Sequence, residues 1–183
     1  TAMMKMTHMA LLLAFAAPCL ALAGGPPPAS TDSVSVDGII AYLDDLASQQ
    51  AEIQQATAQI QSHAELARYL TSTPAERSPL SKLSAPARQR FLSSITFNEH
   101  GITGFSYADL AAELTPTEIS AILRLFGAER TVPLMKNAHI SNHVDSLIMH
   151  SPYLMPSEDH EGYACDAPGD CVKMNDHICT HNC

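Results

Sequence analysis

The stretch from Phe91 to Gly127, FLSSITFNEHGITGFSYADLAAELTPTEISAILRLFG, decides the fold. Four of the five Phe of the chain, Phe91, Phe97, Phe105 and Phe126, lie in it, and the chain has no Trp. Rigid rings gathered in one stretch are where a core can be seeded. Tyr107, Leu110, Ala111 and Leu114 recur at the spacing of one helical face, and so do Ile119, Ile122, Leu123 and Phe126, which predicts two successive amphipathic helices. Thr115, Pro116 and Glu118 supply the second helix with an N-cap, a first-turn proline and a capping-box carboxylate, and Gly127 supplies a left-handed stop. Between the rings, Phe97-Asn98-Glu99-His100-Gly101-Ile102-Thr103-Gly104-Phe105 reads as a turn with two glycines, pinned from both sides.

Working upstream, a helix from Pro86 to about Ile95 buries Ala87, Phe91 and Ile95, and 72–85 reads as a loop broken by Pro74 and Pro79. Before it, residues 37–71 contain no proline, and Gly38 is the one glycine, placed in the first turn. A single long helix is therefore allowed. Ile39, Leu43, Leu46, Gln50, Ile53, Thr57 and Ile60 follow each other in steps of four and three, a coiled-coil seam weakened by Gln50 and Thr57. A helix of that length spans roughly 50 Å, more than a domain of this size needs. Either residues 39–67 pair with another chain, a second copy included, or the helix breaks near Gln50 and folds back as core.

Residues 24–36, rich in Pro, Gly and Ser, read as a flexible linker. Residues 1–23 combine one cation, Lys5, with the apolar run Met9 to Ala17, then Pro18, then small residues at Ala21 and Ala23. This is the pattern of a signal peptide cleaved after Ala23. The run is shorter than the roughly 20 residues a membrane-spanning helix requires, so no stable membrane insertion is expected after cleavage. Cleavage would leave nine Lys and Arg against nineteen Asp and Glu, a net charge of about −10. A surface so acidic, without a basic stripe, excludes nucleic acid as a partner.

Downstream of Gly127, Thr131 and Pro133 can open a further helix, with Ile140, Val144, Leu147 and Ile148 on one face and an end before Pro152. Within it His139 and His143 would stand one turn apart, the spacing at which two imidazoles reach one metal ion. His139 is followed by Ile140, so the metalloprotease pattern His-Glu-x-x-His is absent. From Ser157 to Cys183 the apolar pattern stops, leaving six acids, one Lys, three His and four Cys. In an oxidising compartment Cys165, Cys171, Cys179 and Cys183 are expected to form two disulfides, with three connectivities open.

Glu99 and His100 could present an acid and a base, but no nucleophile or anion hole accompanies them. No nucleophile elbow or phosphate-cradling loop occurs, so no enzyme and no cofactor are expected. The sequence thus predicts a mainly α protein: a leader over 1–23, a linker over 24–36, a long helix over 37–71, a compact helical domain over 72–156 and a disulfide-stapled irregular tail over 157–183. The function expected is that of an exported, secreted or periplasmic, non-catalytic protein acting on a protein partner. Two further possibilities are a metal-binding periplasmic protein using His139 and His143, and a secreted precursor of a cysteine-rich C-terminal peptide.

Overall fold

The computed structural model of the chain describes residues 35–150 and 159–183. The predicted leader and its cleavage point lie outside them, as do nearly all of the linker and the boundary at 156.

The stretch read first behaves as its caps direct. Helix α4 (Ala108–Glu113) and helix α5 (Pro116–Leu123) follow one another, and the Thr115 and Glu118 capping box closes in both directions. Gly127 adopts φ +69° after a short 3-10 turn. Helix α3 (Ala85–Ser94) starts on the Ser84 side chain, packs against α4 and buries Phe91. The rings meet as expected: Phe91 lies edge-on to both Phe105 and Phe126, with centroids 6.1 Å apart in each case, and Phe97 tilts against Phe126 at 6.4 Å.

The fold class is nevertheless α+β and not mainly α. Thr96–Asn98 (β1) and Gly101–Ser106 (β2) form a hairpin where a pinned turn was expected. The supposedly irregular tail is a second hairpin, His160–Ala167 (β3) and Asp170–Cys179 (β4). The two join in one antiparallel sheet of order β1-β2-β4-β3, with Phe105 opposite Ile178. The close approach explains Gly104, where a Cβ would sit 3.0 Å from the Ile178 carbonyl oxygen. Ile178 and Cys179 are fully buried. The C-terminal segment therefore supplies part of the core, and Val34–Cys183 form one compact unit.

The long helix expected over 37–71 is divided into α1 (Val36–Ala56) and α2 (His63–Ser72). Thr57 turns its hydroxyl back to the Ile53 carbonyl at 2.7 Å, and the Gln61 side-chain amide reaches the carbonyls of Gln55, Ala56 and Ala58 at the helix end. Ser62 then caps α2, while Glu65 accepts from the Gln61 N–H at 2.7 Å. Past Gly127, the expected helix is also shorter than its apolar spacing implies. A 3-10 turn occupies Glu129–Leu134, and α6 begins only at His143 and ends at Met149. Asp145, fully buried, ties α6 to α5 by accepting from the Thr117 N–H at 3.0 Å and the Thr117 hydroxyl at 2.6 Å.

Candidate interaction surface and its anchor

Of the 21 residues of α1, only Ala51 is buried. Val36, Ile39, Ile40, Tyr42, Leu46 and Ile53 are all exposed, between 41% and 71%. At 100° per residue these side chains fall on one broad arc together with Leu43 and Ala47, while Asp37, Asp44, Asp45 and Glu52 take the opposite arc. Isolated surface apolar residues are ordinary, but a contiguous set on one helix face is a candidate interaction surface. The helix carries no Lys or Arg at all. Its surface is an apolar stripe backed by negative charge.

The C-terminal turns of α1 are fixed to the rest of the unit. Gly127 lies so close that a Cβ there would be 2.7 Å from Gln55 Cα and 2.8 Å from the Gln54 carbonyl oxygen. Ile60, just past the helix, donates its N–H to the Leu125 carbonyl at 2.8 Å and is itself fully buried. The third attachment is polar. Gln55 Oε1 lies 3.1 Å from His181 Nε2, and the other side of that ring faces a buried ion pair.

That pair is Arg130 and Asp159, 4% and 6% exposed. The guanidinium Nε donates to Asp159 Oδ2 at 3.0 Å, Nη2 donates to Oδ1 at 3.3 Å, and Nη1 donates to the Gly127 carbonyl at 3.0 Å. Asp159 also accepts the His181 main-chain N–H at 2.8 Å. Burial would raise the Asp159 pKa, but hydrogen bonding by His181 and the Arg130 charge outweigh it and hold the carboxyl below the ordinary range. A fork of this kind is directional, so it sets the position of both segments it joins. One guanidinium thus links the Gly127 stop, the start of β3 and the end of the chain, at the point where α1 docks.

A second polar set lies on the same sheet. Tyr107 donates its hydroxyl to Glu161 Oε1 at 2.6 Å, and Lys136 Nζ is 2.6 Å from Glu161 Oε2. Burial, then the Glu161 hydrogen bond, pushes the Tyr107 pKa far up. Lys136 and Glu161 line a pocket edge, but their partners are all internal.

Among the residues singled out in the sequence, the four cysteines are brought together as Cys165–Cys183 and Cys171–Cys179. His139 and His143 are not on a common helix. His139 precedes α6 in an irregular segment and His143 is its first residue, so the one-turn spacing behind the metal reading is not realised. Among the described residues, the gathering of three metal-type ligands is Cys165, Cys179 and Cys183, all engaged in disulfides. Glu99 and His100 form an exposed pair, 3.5 Å apart, on the β1–β2 turn. Arg130 and Asp159, which hold the α1 anchor in place, carry no sequence signal: they are 29 residues apart and match no motif.

Comparison with models of known protein families, with curated proteins and with solved structures finds no match to this chain.

Proposed function

We propose that the chain is an exported, non-catalytic binding protein, secreted or periplasmic, that engages a partner protein through the apolar face of α1. The observation that carries this reading is the exposure of Val36, Ile39, Ile40, Tyr42, Leu46 and Ile53 on a helix whose C-terminal end is firmly anchored. Four acids and no bases on α1 favour a partner helix that flanks its own apolar stripe with Lys and Arg. Self-pairing would set one acidic helix beside another. Two disulfides fit an oxidising compartment, and no helix among the described residues is long and apolar enough to cross a membrane.

The test is a photo-crosslinking side chain placed at Ile39 or Leu46, with Arg68 on α2 as control, in the exported full-length protein. A discrete heteromeric adduct at the α1 positions and none at Arg68 supports the reading. An adduct of twice the chain mass would instead identify a second copy as the occupant, and equal labelling at all three positions would refute a specific surface.

A further inference from the structure

The two disulfides are connected in an unusual way by the shape of the second hairpin. Cys171 and Cys179 are eight residues apart on one strand, a separation of about 26 Å if extended. Their Cα atoms are 6.0 Å apart. Strand β4 therefore curls back on itself, aided by register shifts at Glu161/Tyr163 and Cys165/Ala167 and by the positive φ of Asp176. The hairpin tip, turning at Pro168 and Gly169, is folded onto its base. Both bridges are straps from tip to base: Cys165 and Cys171 belong to the tip, Cys179 and Cys183 to the base.

The alternative pairing is already aligned. Cys165 and Cys171 are opposite partners across the β3–β4 ladder, which places their side chains on one face at a separation that cross-strand bridges can span. Cys183 is returned toward Cys179 by a turn in which the Cys183 N–H donates to the Thr180 carbonyl at 2.9 Å. The sulfurs of Cys165, Cys179 and Cys183 all lie within 4.8 Å of one another. A pocket of about 220 Å³, lined by Phe97, Asn98, Thr103 and Asp166, opens on the Cys165–Cys183 bridge, whereas Cys179 is fully buried.

From this geometry we propose that the four cysteines form a thiol-exchange site, at which a small thiolate converts the tip-to-base pairing into Cys165–Cys171 plus Cys179–Cys183 and so uncurls the hairpin. The entering thiolate RS⁻ attacks Cys165 Sγ in the pocket; the Cys165–Cys183 bond breaks, a mixed disulfide with R forms, and Cys183 leaves as thiolate. Cys183 attacks the neighbouring Cys179, forming Cys179–Cys183 and expelling the Cys171 thiolate. Cys171, opposite Cys165, attacks the mixed disulfide there, forming Cys165–Cys171 and returning RS⁻. No electrons are gained or lost overall, and the thiol is a catalyst. Asp166 at the pocket and the acidic surface favour a neutral or cationic thiol over an anionic one.

The experiment uses the full chain with catalytic cysteamine, followed by acid quenching, alkylation, and cleavage before aspartate. In the observed pairing, peptides 159–165, 170–175 and 176–183 stay joined through both bridges. Exchange predicts loss of that three-peptide species with a matching gain of 176–183 as a separate peptide with an internal bridge, together with 159–165 joined to 170–175. Persistence of the three-peptide species until all four thiols alkylate together would overturn the proposal. Cys171→Ser provides an independent check: its unpaired Cys179 should share Cys183 with Cys165, giving separate 176–183 with an internal bridge in part of the molecules. Exclusive Cys165–Cys183 pairing in that variant would contradict the exchange geometry.

Discussion

Gln55 Oε1 lies 3.1 Å from His181 Nε2, so the last turn of α1 is held by a residue 126 positions further along the chain. The contact rests on the Arg130 and Asp159 pair behind the His181 ring, and the orientation of the exposed helix therefore depends on charges buried beneath its docking point.

Replacing one member of that pair should be costly. Asp159→Ala leaves the Arg130 guanidinium buried without its carboxylate, a change expected to lower stability by about 3 to 5 kcal/mol. The double variant Arg130→Met with Asp159→Leu should recover most of the loss, because it leaves no uncompensated charge. Urea unfolding of the three proteins checks this; a double variant no better than the single one would show that the pair acts by more than charge balance.

Gly127→Ala should loosen α1. The residue sits at φ +69°, and the added Cβ would meet Gln55 Cα at 2.7 Å. Backbone strain alone is expected to cost about 1 to 3 kcal/mol. Hydrogen exchange should accelerate at the Gln54 to Thr57 amides, while α4 and α5 remain protected. Unchanged protection at the α1 end would mean that the helix is held from elsewhere.

The ring cluster makes a plainer demand. Phe105→Ala and Phe126→Ala each empty a fully buried site and should cost about 3 to 5 kcal/mol. Unfolding curves superposable on the parent would remove these rings from the core.

Acid should destabilise the protein through two carboxylates. Hydrogen bonds from Ser141, then Thr117, hold the Asp145 carboxyl well below its usual range, and Asp159 is also depressed. A carboxyl whose pKa is lower folded than unfolded stabilises the native state above the unfolded value, and that contribution is lost as pH falls through the folded value. Stability should be flat from pH 7 to 5 with respect to these groups and decline below about pH 4. In Asp145→Asn the decline should be shallower. Equal slopes in parent and variant would exclude Asp145 as a source.

The sequence was legible where structure is local. Thr115, Pro116, Glu118 and Gly127 announce their helix because caps act within four residues. The break between α1 and α2 was also written locally, as Ser62 followed by Glu65, but the apolar steps from Ile39 to Ile60 run through it and favoured one long helix. The sheet was hidden for different reasons. Strand β2 is buried along nearly its whole length, so Ile102, Thr103, Gly104 and Phe105 show no alternation, and two glycines in it resemble turn punctuation. Strand β4 is mostly exposed, and its core contribution is Ile178 and Cys179, whose partner lies more than seventy positions earlier. No local pattern encodes that pairing. Arg130 and Asp159 were equally silent, since a buried ion pair is created by the fold that brings its members together.

Whether the exposed apolar face of α1 serves recognition and not folding is decided by Leu46→Asp combined with Ile39→Asp, read as crosslinking from a probe at Ile40. Both side chains are exposed, at 41% and 46%, so the thermal midpoint should match the parent. Within that intact fold, the heteromeric adduct should fall at least tenfold, about 1.4 kcal/mol of binding or more. An undiminished adduct from the doubly substituted helix would contradict it.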